Sequence, residues 1–180
     1  MNIVYVHFAG STVAFEYEGD GPDRVLTFLF KDILQSHFDE PHITYRLVQD
    51  DADGDFILYQ GNDLELRSES EDSMAGHLVD RVVYHLADHS LGGLVIHAAA
   101  AAYRGRGALL AGPSGSGKTT LTARLLTEGF DYLSDELVFI PCGALEMQGL
   151  TRPLSLKKGG LNALEEILPQ PRGARNTSAT

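Results

Sequence analysis

Apolar and polar positions alternate in the first part of the chain in the way that is typical of short β-strands. Residues 3–8 and 12–17 are rich in β-branched and aromatic side chains and are separated by Gly10 and Ser11, so we expect them to form a hairpin. Three more apolar runs, each bounded by turn-forming residues, predict further strands at 43–48, 56–59 and 64–67.

Two segments instead space their apolar side chains by three and four residues, as amphipathic helices do. Residues 25–38 form the first, although the run 27–30 is equally compatible with a strand. The second covers residues 72–86 and is followed by two glycines at 92–93. Three residues are available as its N-cap: Ser70, Asp72 and Ser73.

Two groups of polar residues invite a metal-binding interpretation, which we do not favour. The carboxylates of residues 50–55 are dense, but an EF-hand loop would need a glutamate where Gly61 stands, so a solvated turn is predicted. His85 and His89 lie four residues apart on one predicted helix, yet no carboxylate or cysteine is near enough in sequence to complete a site.

Composition limits the class of protein. With 180 residues, 43% of them hydrophobic, the chain is long enough for one compact domain or for two small lobes that share a core. Its longest apolar runs, such as residues 94–102, are far shorter than the roughly 20 residues that span a bilayer, and the N-terminus lacks a signal-peptide pattern. We therefore expect a soluble cytoplasmic protein without a membrane partner, in which the single cysteine, Cys142, is a packed thiol.

Charge argues against nucleic acid as a partner. The chain holds 25 acidic and 14 basic residues, a formal net charge of −11, whereas a protein that binds a phosphate backbone needs a basic face. Acidic residues are concentrated in residues 1–90, which hold 18 acids and 5 bases. This half is predicted to be a solvated surface or, alternatively, an acidic docking face for a basic partner.

A full match to the phosphate-binding loop pattern is the feature most informative about chemistry. The motif and the residue after it are Gly112, Pro113, Ser114, Gly115, Ser116, Gly117, Lys118, Thr119 and Thr120. Glycines let consecutive backbone N–H groups curl around the β-phosphate, Lys118 bridges the terminal phosphates, and the Thr119 hydroxyl is placed to ligate Mg²⁺. The motif therefore predicts that these residues bind a nucleotide with Mg²⁺.

The residues around the motif fit the strand, loop and helix that it requires. Residues 108–111 are apolar and predict the strand, and residues 120–126 predict the helix, with Gly129 as its stop. Three leucines are expected to form the buried face of this helix: Leu121, Leu125 and Leu126.

Asp135 and Glu136, the acidic pair, stand beside the apolar strand predicted at 137–140 and are both candidate magnesium ligands. Adjacent residues of a regular strand point to opposite faces, so both can serve one site only if they lie at a strand end or a bend. In the alternative, Glu136 is a solvated strand residue.

Three motifs together carry a family resemblance. His97 lies 15 residues before the phosphate-binding motif, and the acidic pair lies 17 and 18 residues after Lys118. In order and spacing, this frame resembles the catalytic core of the bacterial HPr kinase/phosphorylase family and its shorter HPr-kinase-related relatives. The likeness covers residues 94–155, and residues 152–157 resemble the segment that follows the core in the related subgroup.

The resemblance implies an ATP-dependent kinase, with the fold of the phosphoenolpyruvate carboxykinases, that phosphorylates a hydroxyl of a protein or peptide. By position, Asp135 matches the catalytic base, Glu136 matches the carboxylate that holds Mg²⁺ with Thr119, and His97 matches the family histidine near the transferred phosphoryl group. Lys118 completes the catalytic set. Without the resemblance, His97 would equally well be a satisfied strand residue. Family members often form oligomers, so a homo-oligomer is also implied.

We therefore expect an α/β chain: an α+β N-terminal lobe at 1–70, a connecting helix at 71–92, a nucleotide-binding core like that of HPr kinase at 93–168, and a flexible tail at 169–180. Since 62 residues follow Lys118, the core is expected to be either naturally short or truncated. Two other functions stay open: a nucleotide-binding interaction module with little turnover, and a small-molecule kinase. Five basic residues are candidates for binding acceptor or phosphate, or for a solubilising role: Arg104, Arg106, Arg152, Lys157 and Lys158.

Overall fold

The computed structural model describes residues 1–38 and 40–154. The predicted tail, the basic residues Lys157 and Lys158 and the last part of the predicted core lie outside these ranges. The described helices are α1 (Asp20–Phe30), α2 (Glu71–Asp88) and α3 (Lys118–Thr127). The described strands are β1 (Asn2–Phe8), β2 (Ser11–Tyr17), β3 (Leu34–Gln35), β4 (Ile43–Gln49), β5 (Phe56–Gln60), β6 (Asp63–Ser68), β7 (Gly93–His97), β8 (Ala99–Tyr103), β9 (Arg106–Leu110), β10 (Asp131–Ser134), β11 (Leu137–Pro141) and β12 (Gln148–Gly149). The chain thus belongs to the mixed class of helices and sheets, as predicted.

The first half forms a six-stranded sheet in the order β3-β1-β2-β4-β5-β6. β1 and β2 pair antiparallel as the predicted hairpin. The two residues that join them, Ala9 and Gly10, both have positive φ angles of 53° and 79°, the conformation that tight two-residue hairpins need. The strands predicted at 43–48, 56–59 and 64–67 are confirmed as β4, β5 and β6.

The first helix begins and ends earlier than the apolar spacing predicted. α1 covers Asp20–Phe30 rather than 25–38, because Pro22 is tolerated in the first helical turn, where its missing N–H costs no hydrogen bond. Beyond Phe30 the chain leaves the helix, and Leu34 pairs with Val6 of β1 at the edge of the sheet. Four apolar side chains of α1 are buried: Val25, Leu26, Leu29 and Phe30.

The second helix is confirmed together with its cap. The Ser70 hydroxyl accepts a hydrogen bond from the Ser73 N–H at 3.2 Å, and α2 runs to Asp88. The predicted stripe is largely buried, and α2 packs against α1 and the six-stranded sheet. No helix among the described residues is long and apolar enough to cross a membrane.

The second half adds two three-stranded sheets, ordered β10-β8-β9 and β12-β11-β7. The main apolar cluster extends from the six-stranded sheet and α2 to Leu137, Phe139 and Leu150 of the second half. Phe8 and Phe139 meet edge to face, with ring centroids 6.2 Å apart. The two halves therefore share one core, and the elements of the second half are held against the first.

Two burial predictions in the second half are wrong. Leu121 is 47% exposed, because α3 lies against the alanine-rich strand β8 through the smaller side chains of Thr122 and Ala123. Cys142 is exposed rather than packed, since it follows β11 in a surface turn. The stop predicted at Gly129 is confirmed, with φ of 87° just beyond the end of α3.

The acidic turn at 50–55 is organised by an arginine. The Arg67 guanidinium lies 3.0 Å from a carboxylate oxygen of Asp50, 2.5 Å from one of Asp53 and 2.7 Å from one of Asp55. The dense carboxylates are therefore partners of a cation from β6. A hydrogen bond from the Ala52 backbone N–H, and then the hydrogen bond from Arg67, lower the pKa of Asp50.

Candidate functional site

The phosphate-binding motif lies between a strand and a helix, as predicted. β9 ends at Leu110 and α3 begins at Lys118. Gly115 and Gly117 in the connecting loop have φ angles of 80° and 88°, which glycine adopts without steric cost. The first turn of α3 carries no acidic residue, so its N–H groups and the positive end of its dipole are available to an anion.

The Lys118 side chain folds back over this loop. Its Nζ donates hydrogen bonds to the carbonyl oxygens of Gly112 at 2.8 Å and Pro113 at 3.2 Å. A Cβ at Gly112 would lie 2.8 Å from the Ser116 Oγ, so a larger residue at this position would require the Ser116 side chain to move. The loop thus forms a narrow backbone cradle with an ammonium group at its side, which fits a phosphate group.

The acidic pair lies at a bend, the arrangement that allows both carboxylates to serve one site. Asp135 and Glu136 connect the end of β10 to the start of β11. The buried Ser134 Oγ accepts hydrogen bonds from the N–H groups of Glu136 at 3.1 Å and Leu137 at 3.2 Å, and donates one to the Leu150 carbonyl at 3.0 Å. Ser134 therefore holds the bend, a role that sequence analysis did not assign.

Sheet topology brings the loop, the acidic pair and His97 to one edge. β8 is the central strand and pairs antiparallel with β9 and β10, so those two strands run in the same direction. Leu110 at the end of β9 lies opposite Ala99, and Ser134 at the end of β10 lies opposite Ala100. The loop and the acidic pair therefore start two strand spacings apart, about 10 Å.

His97 and the acidic pair meet directly at this edge. The Ala98 N–H donates to the Glu136 carbonyl at 3.2 Å, just before β8 begins. The His97 Nε2 lies 3.7 Å from the Glu136 Oε1, an ion pair when the imidazole is protonated, and the His97 side chain is 63% exposed. His97 is thus an accessible group at the site rather than a buried strand residue.

Arg152 lies against both carboxylates. Its Nη2 donates to the Glu136 Oε2 at 2.5 Å, and its Nε lies 3.9 Å from the Asp135 Oδ1. The side chains are 10% exposed for Arg152, 3% for Asp135 and 18% for Glu136. The Arg152 guanidinium therefore lies within ion-pair distance of both carboxylates, which are largely shielded from solvent. Arg152 was one of the basic candidates, but no local sequence pattern indicates its position beside the acidic pair, which depends on contacts distant along the chain.

Tyr132 is a further member of the site that sequence analysis missed. Its hydroxyl donates to the Asp135 Oδ1 at 2.8 Å. Burial, together with the charge of Asp135 and this hydrogen bond, raises the pKa of Tyr132 far above its usual range. The phenol therefore keeps its proton and stays a donor to Asp135 at physiological pH. The one sequence signal for this contact was that Tyr132 precedes Asp135 by three residues.

The predicted metal ligands come from two elements of this edge. Thr119 is in the first turn of α3, and the acidic pair follows β10. Across residues 1–38 and 40–154, no three His, Cys, Asp or Glu side chains converge as an ion-binding group. Mg²⁺ bound with a nucleotide takes phosphate and water oxygens and needs only one or two protein ligands, so the hydroxyl and carboxylates present fit that mode of binding.

Comparison with known proteins yields one similarity. A family model described as SynChlorMet cassette protein ScmC matches residues 66–147, less than half of the 180-residue chain. The matched part includes α2, the phosphate-binding motif and the acidic pair. No curated protein and no solved structure matches the chain. The family description names no activity.

Proposed function

We propose that the protein is an ATP-dependent kinase, related to HPr kinase/phosphorylase, that phosphorylates a serine or threonine hydroxyl of a protein or peptide. The observation that carries the proposal is the meeting of the phosphate-binding loop, His97 and the acidic pair at one edge of the β10-β8-β9 sheet. A separation of about 10 Å between the two strand ends suits a triphosphate that reaches from the loop toward the carboxylates. A phosphate-binding core of the carboxykinase type and a cytoplasmic location are parts of the same proposal.

The chain's own groups have distinct roles in this reaction. ATP with Mg²⁺ supplies the phosphoryl group and part of its charge neutralisation when bound. The loop N–H groups and Lys118 bind the β- and γ-phosphates, and Thr119 and Glu136 hold the metal. Asp135 accepts the hydroxyl proton while the new O–P bond forms and the bond to the β-phosphate oxygen breaks. His97, accessible beside Glu136, is placed to stabilise charge on the transferred group.

Tyr132 and Arg152 act through the acidic pair and are positioning residues. The hydrogen bond from the Tyr132 hydroxyl orients the Asp135 carboxylate, and the hydrogen bond from the Arg152 guanidinium orients the Glu136 carboxylate. In a nearly dry site, fixed donors of this kind orient a carboxylate before substrate arrives.

The same contacts favour a second candidate, a nucleotide-binding interaction module with little turnover. Arg152 already pairs with Glu136 at 2.5 Å, so a metal ligated by this carboxylate competes with a guanidinium. A module of this kind would bind Mg-ATP without transferring phosphate. The two candidates therefore differ in turnover and not in nucleotide affinity.

The Asp135→Asn variant tests the kinase. We expect its Mg-ATP affinity to match that of the wild type, while transfer of label from γ-labelled ATP to a library of serine peptides falls by about 10² to 10⁴, the usual contribution of a general base. Asp131→Asn, which changes an exposed residue at the start of β10, is the matched control and should keep full activity. An unchanged rate in Asp135→Asn contradicts the base role, and wild-type binding without transfer favours the module.

A further inference from the structure

A cavity of about 440 Å³ lies beside the acidic pair, between α1, α2 and residues 152–154. Its volume is within the range of pockets that bind small ligands or side chains, about 300–1,000 Å³. Glu136 and Arg152 line it together with residues of both helices. The cavity therefore connects Glu136 of the acidic pair to a surface formed by the first half of the chain.

The wall contributed by α2 is acidic. Asp72 and Asp80 both line the cavity and are exposed, and neither has an ion-pair partner within the described part of the chain. They are eight residues apart on one helix, which corresponds to about 12 Å along its axis. Glu136 adds a third carboxylate, and Arg152 is the single cation among the described residues of the lining. This wall is complementary to a positively charged ligand.

The wall contributed by α1 is apolar and open at its rim. Phe28 lines the cavity with 62% of its surface exposed, and the neighbouring Leu29 is buried. Val79 continues the apolar surface from α2. An exposed aromatic ring at the mouth of a cavity gains free energy when an apolar group of a ligand covers it.

One lining residue, Arg152, is buried and has unused hydrogen-bonding capacity. The Arg152 side chain is 10% exposed, and its Nε forms no hydrogen bond with any described residue. Buried polar groups are normally hydrogen-bonded. An acceptor oxygen of a bound ligand, for example a peptide carbonyl, would satisfy this donor.

We propose that this cavity binds the acceptor segment of a peptide substrate, with a lysine or arginine side chain against Asp72 and Asp80 and an apolar side chain against Phe28 and Val79. The stretch of about 12 Å along α2 matches three or four residues of extended chain. Such a segment would bring a hydroxyl to Glu136, the member of the acidic pair that lines the cavity. The assignment of the hydroxyl as the phosphoryl acceptor rests on the proposed kinase function, whereas the binding itself does not.

The test measures peptide binding by fluorescence anisotropy on the full chain without nucleotide. The probes are two short labelled peptides that share a serine and a leucine and differ only in having arginine or glutamate two residues before the serine. An exposed ion pair contributes up to about fivefold in affinity, so we expect the arginine peptide to bind about fivefold more tightly than the glutamate peptide, with a smaller difference at high salt.

Paired variants test whether the acidic and apolar residues of the cavity contact the peptide. Neutralising both carboxylates in Asp72→Asn/Asp80→Asn should weaken binding of the arginine peptide by about fivefold, since its one guanidinium pairs with one carboxylate at a time. The control Asp51→Asn/Asp63→Asn removes two exposed carboxylates outside the cavity and should change nothing. Likewise, Phe28→Ala should weaken binding by about fivefold, while Leu64→Ala, which removes a side chain of similar exposure at 61%, should not.

Equal binding of the two peptides, no binding of either up to about 1 mM, or equal effects of cavity and control variants overturns the proposal. Mg-ATP binding, measured separately on the same samples, distinguishes failure of the cavity assignment from failure of the proposed kinase function. Peptide discrimination without Mg-ATP binding leaves the cavity assignment standing and refutes the kinase. Mg-ATP binding and transfer without peptide discrimination leaves the kinase standing and refutes the cavity assignment.

Discussion

Removal of the Arg152 guanidinium is expected to destabilise the folded chain strongly. Arg152→Met keeps much of the side-chain volume but removes the guanidinium that contacts Asp135 and Glu136. Asp135 is 3% exposed and Glu136 is 18% exposed, so solvent compensates the two charges poorly. Breaking a buried ion pair from one side costs about 3–5 kcal/mol.

The partial exposure of Glu136 places the expected cost at the lower end, about 3 kcal/mol. With a urea m-value of about 2 kcal/mol/M, the unfolding midpoint should fall by about 1.5 M. In thermal unfolding, the same cost should lower Tm by about 6–12 °C, at 2–4 °C per kcal/mol for a chain of this size. Both signals can be followed by far-UV circular dichroism.

A double-mutant cycle separates the ion pair from general packing. Glu136→Gln in the Arg152→Met background should recover part of the loss, with a coupling free energy of about 1–3 kcal/mol. Arg24→Met is the matched control, because Arg24 and its partner Glu71 are both at the surface and such pairs contribute about 0–1 kcal/mol. A coupling below about 0.5 kcal/mol, or equal losses in Arg152→Met and Arg24→Met, would refute the inferred role of the Arg152 guanidinium.

Two other variants test the local structure. The His85 ring is buried, stacks on His89 with ring centroids 4.1 Å apart and lies 6.5 Å from His42. Burial and these two neighbours lower the pKa of His85 below 6.5. The unfolded chain therefore binds more protons than the folded chain, and stability should fall as the pH falls below 6.5. His85→Gln should flatten this dependence of Tm on pH, and an unchanged slope would count against it. Ser134→Ala removes the group that holds the bend at the acidic pair and should cost about 1–3 kcal/mol in urea unfolding, whereas a loss below about 0.5 kcal/mol would show that the bend forms without it.

Local signals predicted the elements whose structure depends on nearby residues. α2 follows from its Ser70 cap and apolar stripe, and the strand, loop and helix around Lys118 follow from the motif. The placement of α1 was wrong because the helical spacing continues past Phe30 in sequence, whereas Leu34 gains a partner strand only in the folded chain. Tertiary pairing overrides local spacing in such a short segment.

Contacts across long sequence distances could not be predicted. Arg152 reaches the acidic pair because β12 pairs with β11 and the Leu150 N–H donates to the Leu137 carbonyl at 2.9 Å. No local pattern indicates that pairing. The exposure of Leu121 has a similar origin, since it depends on how closely α3 approaches the alanines of β8. The sequence thus indicates which chemistry is present, and the fold determines which groups meet.

The central claim is that the loop around Lys118 binds Mg-ATP for phosphoryl transfer, and calorimetry tests it most directly. Mg-ATP is titrated into the wild type, into Lys118→Ala and into Lys31→Ala, a control at an exposed lysine beyond α1. The same samples are then assayed for release or transfer of the γ-phosphoryl group. We expect binding and turnover in the wild type and in Lys31→Ala, and a loss of affinity of at least about tenfold in Lys118→Ala, since hydrogen bonds from a charged group contribute about 1.5–3 kcal/mol. Absence of Mg-ATP binding in the wild type, or equal binding in all three proteins, would contradict the account.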